Sequence, residues 1–371
     1  MQTNPLRRLK ALGQSIWLDD IRRGWIDDGS FARLIEADGV SGVTSNPAIF
    51  RKAIAEHRDY DAAIAALARR GTDAVEIAEV LTVEDVCRAA DLFRGVYDAS
   101  GGRDGYVSLE VSPHLAHDTE ATVAEATRLW GRVNRANAMI KVPATRAGLP
   151  AIRRLIAAGV NVNVTLLFGV TRYREVVEAW LAGLDDCAAT GRPMERIASV
   201  VSFFLSRIDT LADKRLGALG TPQAKCLRGA AAIASARLAY QHYKEWTASP
   251  RWLALAQRGA QPQRLLWAST SAKDPAYSDI KYVEALIGRD TVNTLPPDTL
   301  AAYRERGRPA ARLEHDLDAA RALPQQLAAL GIDLEAVADE LEREGVRKFV
   351  EPYDALIQTL EEHRTERAVS P

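Results

Sequence analysis

The chain is poor in cysteine. Its 371 residues include only three, Cys87, Cys187 and Cys226, set far apart. No disulfide framework or zinc spacing follows from such a set. Histidine is scarce too, six in all. His114 and His117 stand three apart with no HExxH motif or cysteine pair beside them, so a solvated loop accounts for them better than a metal. No G-x-G-x-x-G follows the first apolar segment and no G-x-x-x-x-G-K-[ST] occurs anywhere, which removes the two common glycine-rich phosphate loops. A formal net charge of −1 provides no bulk basic field for nucleic acid or an anionic membrane. No apolar run is long enough to span a bilayer, and Met1 to Arg8 lack the apolar stretch of a signal peptide. Together these absences lead to the expectation of a soluble cytoplasmic protein with no nucleic-acid or membrane partner. Glycine and proline are ordinary in number, 24 and 16, and hydrophobic residues make up 47%. That is a globular composition, long enough for one large α/β domain or two medium ones.

Eight short apolar segments punctuate this composition: 14–20, 39–44, 105–111, 138–143, 160–168, 197–204, 263–270 and 290–294. Helical patterning lies between them. Residues near 51–99 form a helical insertion broken at Gly71-Thr72, and the tail from about Asp298 is helical, with breaks near Gly307-Arg308-Pro309 and Gly331. Strands alternating with helices imply a parallel sheet. Eight such units make a (β/α)8 TIM barrel with additional helices the leading architecture, ahead of a doubly wound open sheet. No internal repeat or clear linker appears, so residues 1–371 read as a single domain. The cleanest pattern is Val160-Asn161-Val162-Asn163-Val164-Thr165, in which valines alternate with short polar residues. In a closed barrel that polar face points inward, towards a site.

Ala138-Met139-Ile140-Lys141-Val142-Pro143 is an apolar strand with a lysine in its middle. Lysine is rarely fully buried. An apolar site disfavours the ammonium form, and a neutral amine is a nucleophile that can form a Schiff base with a carbonyl. The plain alternative is a strand-end lysine whose head reaches solvent.

Other polar residues fall at the C-terminal ends of the strands, where the site of a barrel must lie. They are Asp19, Asn46, Glu110, Asn163 with Thr165, Ser202 with Arg207, Ser269 with Lys273, and Asn293. The set is coherent with the chemistry of Lys141. A lysine iminium is an electron sink. Cleaving the neighbouring carbon–carbon bond needs a base for the distal hydroxyl, a role open to Asp19 or Glu110. A second carboxylate must move protons to and from the carbinolamine. Asparagine, serine and threonine suit hydroxyls because each donates and accepts, and the arginine fork suits a phosphate. Each member has a plainer reading. Asp19 suits a helix N-cap, Glu110 a surface pair with His114 or His117, Asn46 a turn closed with Pro47, and Arg207 a surface pair with Asp209.

At these residues the chain closely resembles the transaldolase family. The motifs are Val43-Thr44-Ser45-Asn46-Pro47, Val107-Ser108-Leu109-Glu110-Val111, Met139-Ile140-Lys141-Val142-Pro143-Ala144-Thr145 and Asn161-Val162-Asn163-Val164-Thr165-Leu166-Leu167-Phe168. The resemblance runs over nearly the whole chain in the right order. Trp267-Ala268-Ser269-Thr270, Ala276-Tyr277-Ser278 and Thr291-Val292-Asn293-Thr294 are similar to the longer bacterial branch. Some relatives carry a fused phosphoglucose isomerase; with the chain ending at Pro371, that domain is expected to be absent.

The resemblance implies transfer of a dihydroxyacetone unit from a ketose phosphate (fructose 6-phosphate or sedoheptulose 7-phosphate) to an aldose phosphate, by a monomer or homodimer without metal or organic cofactor. It implies Lys141 as the Schiff-base lysine and Asp19 as the general acid/base on strand one. Glu110 would work through a water held with Thr165. Asn46, Asn163 and Ser202 would bind the hydroxyls of the transferred fragment, and Arg207 and Ser269 the phosphate. Two positions depart from the family pattern. Ser271 stands where many members carry a phosphate-site arginine, which assigns that role to Lys273, and Asp20 follows Asp19 where a threonine is usual. Phe204 resembles the transaldolases rather than the related fructose 6-phosphate aldolases, which carry tyrosine there. A free dihydroxyacetone aldolase and a non-catalytic sugar-phosphate-binding barrel are the alternatives.

Overall fold

The alternation of valine with short polar residues has a structural outcome in the computed structural model, which describes residues 4–368. Met1–Thr3 and Val369–Pro371, on which the expectations about the two chain ends partly rest, lie outside those residues. The strands are β1 (Gln14–Asp19), β2 (Gly42–Thr44), β3 (Tyr106–Glu110), β4 (Ala138–Pro143), β5 (Val162–Leu167), β6 (Ser199–Phe204), β7 (Arg264–Ala268) and β8 (Thr291–Leu295). They close in sequence order into a barrel, β8 pairing back onto β1. Every pair is parallel. Closure sets aside the doubly wound sheet.

Register lines up the inward-facing residues. Glu110 pairs with Lys141, Lys141 with Asn163 and Asn163 with Val200. Side chains alternate along a strand, so Ser108, Glu110, Met139, Lys141, Asn163 and Ser202 share the inner face. Valines of β5 pack outward against helices, among them Gly148–Ala157 and Val170–Ala189. The same logic corrects one expectation. Trp17, an inward residue, pairs with Thr294, whereas Asn293 pairs with Ile16 and Trp267 in the outward row. Asn293 is fully buried in the helix layer, and its place at the strand ends goes to Thr294.

At the N-terminal end of the barrel a polar plug fills the lumen. Arg264 donates to Ser15 Oγ (2.9 Å) and Asp104 Oδ1 (3.0 Å), and Ser15 and Trp17 both donate to Asp104. Gly42 is required beside it, because a Cβ there would stand 2.6 Å from the Trp17 ring.

Additional helices follow β2 and β8. The expected insertion resolves into Pro47–Glu56, Asp61–Ala68 and Ala74–Ala99 with a short 3₁₀ turn. Pro47 at the first helical position and the Asn46 cap explain why the first of these starts where it does. The tail ends in one helix, Leu334–Ala368, with Pro352 inside it. At 1.5 Å per residue it runs about 50 Å, enough to cross the barrel. It packs on the Pro47–Glu56, Ala74–Ala99 and Ser206–Leu219 helices and on β5. Among the described residues no helix is long and apolar enough to cross a membrane.

Candidate active site

Lys141 is carried by the middle of β4 and is 4% exposed, so its head does not reach solvent. Its Nζ donates to the backbone carbonyl of Ser45 (2.9 Å) and lies 3.5 Å from Glu110 Oε2. Glu110 ends β3 with its side chain 6% exposed. Burial pushes its carboxyl up to about 7, although the neighbouring Lys141 charge works in the opposite direction. A carboxyl poised there can both give and take a proton near neutrality. Both Glu110 oxygens and Thr165 Oγ1 are buried without a hydrogen bond from the protein.

Asp19 ends β1. Burial raises its pKa, while Lys141, a hydrogen bond from Thr44 and the charges of Arg207 and Lys273 hold it down. The Thr44 hydroxyl donates at 2.7 Å and also meets Thr294 Oγ1 at 2.7 Å. Asp20 is pushed to about 6 by burial and by the Asp19 charge. Neither acid caps a helix: the next helix starts at Arg23 with Arg22 at its cap.

Asn163 is fixed by two partners. Its Nδ2 donates to Ser108 Oγ (3.1 Å) and its Oδ1 accepts from Ser202 (2.7 Å). Thr165 precedes Leu166, whose φ of 56° is left-handed, at a register break between β5 and β6. A bulky residue in that region is strained. Ser269, after β7, is also left-handed at 53°; its Oγ lies 2.8 Å from Ser206 Oγ, beside Arg207. Burial lowers the pKa of Arg207, and burial together with the Arg207 charge lowers that of Lys273. The two cations are therefore close enough to repel, and both feel Asp19. One anion between them would relieve the repulsion.

The plainer readings separate here. The Arg207–Asp209 pair does not form, since Asp209 takes Lys281 (2.8 Å) and Tyr282 instead. Glu110 does not pair with a histidine, and His114 meets Asp354. Asn46, by contrast, does use its side-chain oxygen as a helix cap on Ile49 N (3.1 Å). Of that side chain, the amide N–H groups are left as donors.

Two site residues escaped the sequence reading. Thr44 was legible by alternation, opposite Asp19 in the β1–β2 register. Phe349 comes from the C-terminal helix, with its ring centroid 5.8 Å from Lys141 Nζ. Its signal was the four-residue spacing Leu341, Gly345, Phe349, Tyr353, one helix face.

The family model described as Transaldolase/Fructose-6-phosphate aldolase matches residues 16–360. A protein of Saccharopolyspora erythraea named Transaldolase is 51% identical over 368 residues, covering 98% of each chain. Another of that name, from Frankia alni, is 49% identical over 359 residues, 96% of this chain and 97% of its own. A Transaldolase 2 of a Nostoc species is 48% identical over 372 residues, 97% and 98% of the two chains.

Proposed function

The chain belongs to the transaldolase/fructose-6-phosphate aldolase family and is a transferase of the transaldolase kind, and we propose that it moves a dihydroxyacetone unit between sugar phosphates through a Schiff base on Lys141. The observation that carries this reading is a buried amine 3.5 Å from a carboxyl poised near neutral pH. The amine attacks the ketone of fructose 6-phosphate or sedoheptulose 7-phosphate. Glu110 moves the protons of carbinolamine formation and dehydration, through a water shared with Thr165; such a water would supply hydrogen bonds to the buried oxygens of Glu110 and Thr165, which make none within the protein. The iminium draws electrons from the adjacent carbon–carbon bond while Asp19 takes the proton of the distal hydroxyl. The aldose phosphate leaves, and the three-carbon enamine on Lys141 attacks the carbonyl of the acceptor.

Asn163 and Ser202 form a ready-made pair for the fragment's hydroxyls, joined by the free N–H groups of Asn46. Arg207, Ser269 and Lys273 take the phosphate, with Lys273 in place of the family's arginine. The unpaired cysteines Cys87, Cys187 and Cys226 suit a reducing compartment, and we read the protein as cytoplasmic. The test is product analysis with fructose 6-phosphate as donor. Sedoheptulose 7-phosphate should form when erythrose 4-phosphate is supplied, with little free dihydroxyacetone in its absence. Free ketone made as fast without acceptor would contradict transfer.

A further inference from the structure

We propose that Phe349, supplied by the C-terminal helix, is a specificity-determining residue that keeps the three-carbon intermediate on Lys141 from being released before the acceptor arrives. The inference rests on the Schiff-base reading of Lys141 and goes beyond it to a residue far away in sequence.

Three observations place Phe349 there. Its ring centroid lies 5.8 Å from Lys141 Nζ, and the residue is 6% exposed. It belongs to an aromatic row in which Phe349 packs on Phe204 at 6.4 Å and Phe204 on Phe168 at 5.4 Å. The helix is held close over the strand ends by Gly345, one turn earlier, where an added Cβ would sit 3.1 Å from the Leu166 side chain. The amine thus has polar neighbours, Ser45 O and Glu110, and an aromatic ring as an apolar one.

The chemistry gives that ring a task. After cleavage, the enamine on Lys141 has two fates. Transfer forms a carbon–carbon bond to the acceptor aldehyde, and water then hydrolyses the resulting iminium. Premature release needs a proton on the enamine's terminal carbon, then water on the iminium carbon, which expels dihydroxyacetone and restores the free amine. Hydrolysis of an iminium is common to both fates and can use the Glu110 water, so they part at the proton on the terminal carbon, and an aromatic ring beside the intermediate offers no proton and holds bulk water away. The acceptor's phosphate would dock at Arg207 and Lys273, and Arg207 stands 5.5 Å over the ring of Phe204, so the aromatic row lies between the amine and the phosphate site.

The test compares the full-length wild type with Phe349→Ala and Phe349→Leu. Free dihydroxyacetone per transfer event is measured with fructose 6-phosphate and erythrose 4-phosphate. Adduct on the Lys141 peptide is measured after borohydride treatment. Phe349→Ala should raise the release-to-transfer ratio about tenfold while the adduct still forms. Phe349→Leu, which keeps an apolar cover but loses the ring, should raise it about threefold, and this variant decides the matter if the alanine form does not fold. Adduct in every protein with an unchanged ratio would overturn the role of Phe349 alone. Absence of adduct in active wild type would overturn the Schiff-base reading, and this inference with it.

Discussion

At the scale of single residues, the electrostatics of the site hang on short contacts that substitution can remove one at a time. Thr44 donates to Asp19 and stabilises its ionised form. Thr44→Val should therefore raise the pKa of Asp19 further, and the acidic limb of the kcat/KM profile should move to higher pH, as read from a pH–rate series. Glu110→Gln should lower kcat by about 10²- to 10⁴-fold, the usual contribution of a positioned acid/base, and erase the ionisation near pH 7 from the same profile. Asp19→Ala should lower kcat far more than it weakens ketose binding; a pure rise in KM would contradict an acid/base role.

At the scale of elements, the barrel's two ends carry different loads. Arg264 on β7 and Asp104 before β3 form a buried pair at the end away from the site. Removing one partner strands the other, so Arg264→Leu should cost about 3–5 kcal/mol in urea unfolding. Turnover of the folded fraction should be unchanged. The strands were largely legible in the sequence, because β4 and β5 declare themselves by an isolated lysine and by strict alternation. Inward direction was legible where several alternating residues agreed, as for Ser108 and Glu110. It failed at β8, whose run offered both Asn293 and Thr294. The choice between them depends on register against β1 and β7, which no local pattern encodes. The role of the tail was hidden for a related reason. Its apolar stripe reads as any helix packing on a core, and only the long-range fold places Phe349 over Lys141.

At the scale of the whole molecule, the barrel buries carboxyls at its mouth that an unfolded chain would leave in water, and stability must depend on pH accordingly. Glu110 goes from 4.5 to about 7 on folding. The folded protein then holds a proton that the unfolded chain releases, so this stabilisation is present at low pH and lost as pH rises through 7. Glu110→Gln should raise the Tm relative to wild type more at pH 8 than at pH 5. All of this serves one amine, enclosed by β4, the β2 end and the C-terminal helix. The most direct test of its role is borohydride reduction of the active protein with fructose 6-phosphate, followed by mass analysis of its peptides. A reduced three-carbon or ketose adduct on the peptide containing Lys141, absent from Lys141→Ala, is the expected result; active protein with no adduct there, or with one on another lysine, would contradict the mechanism.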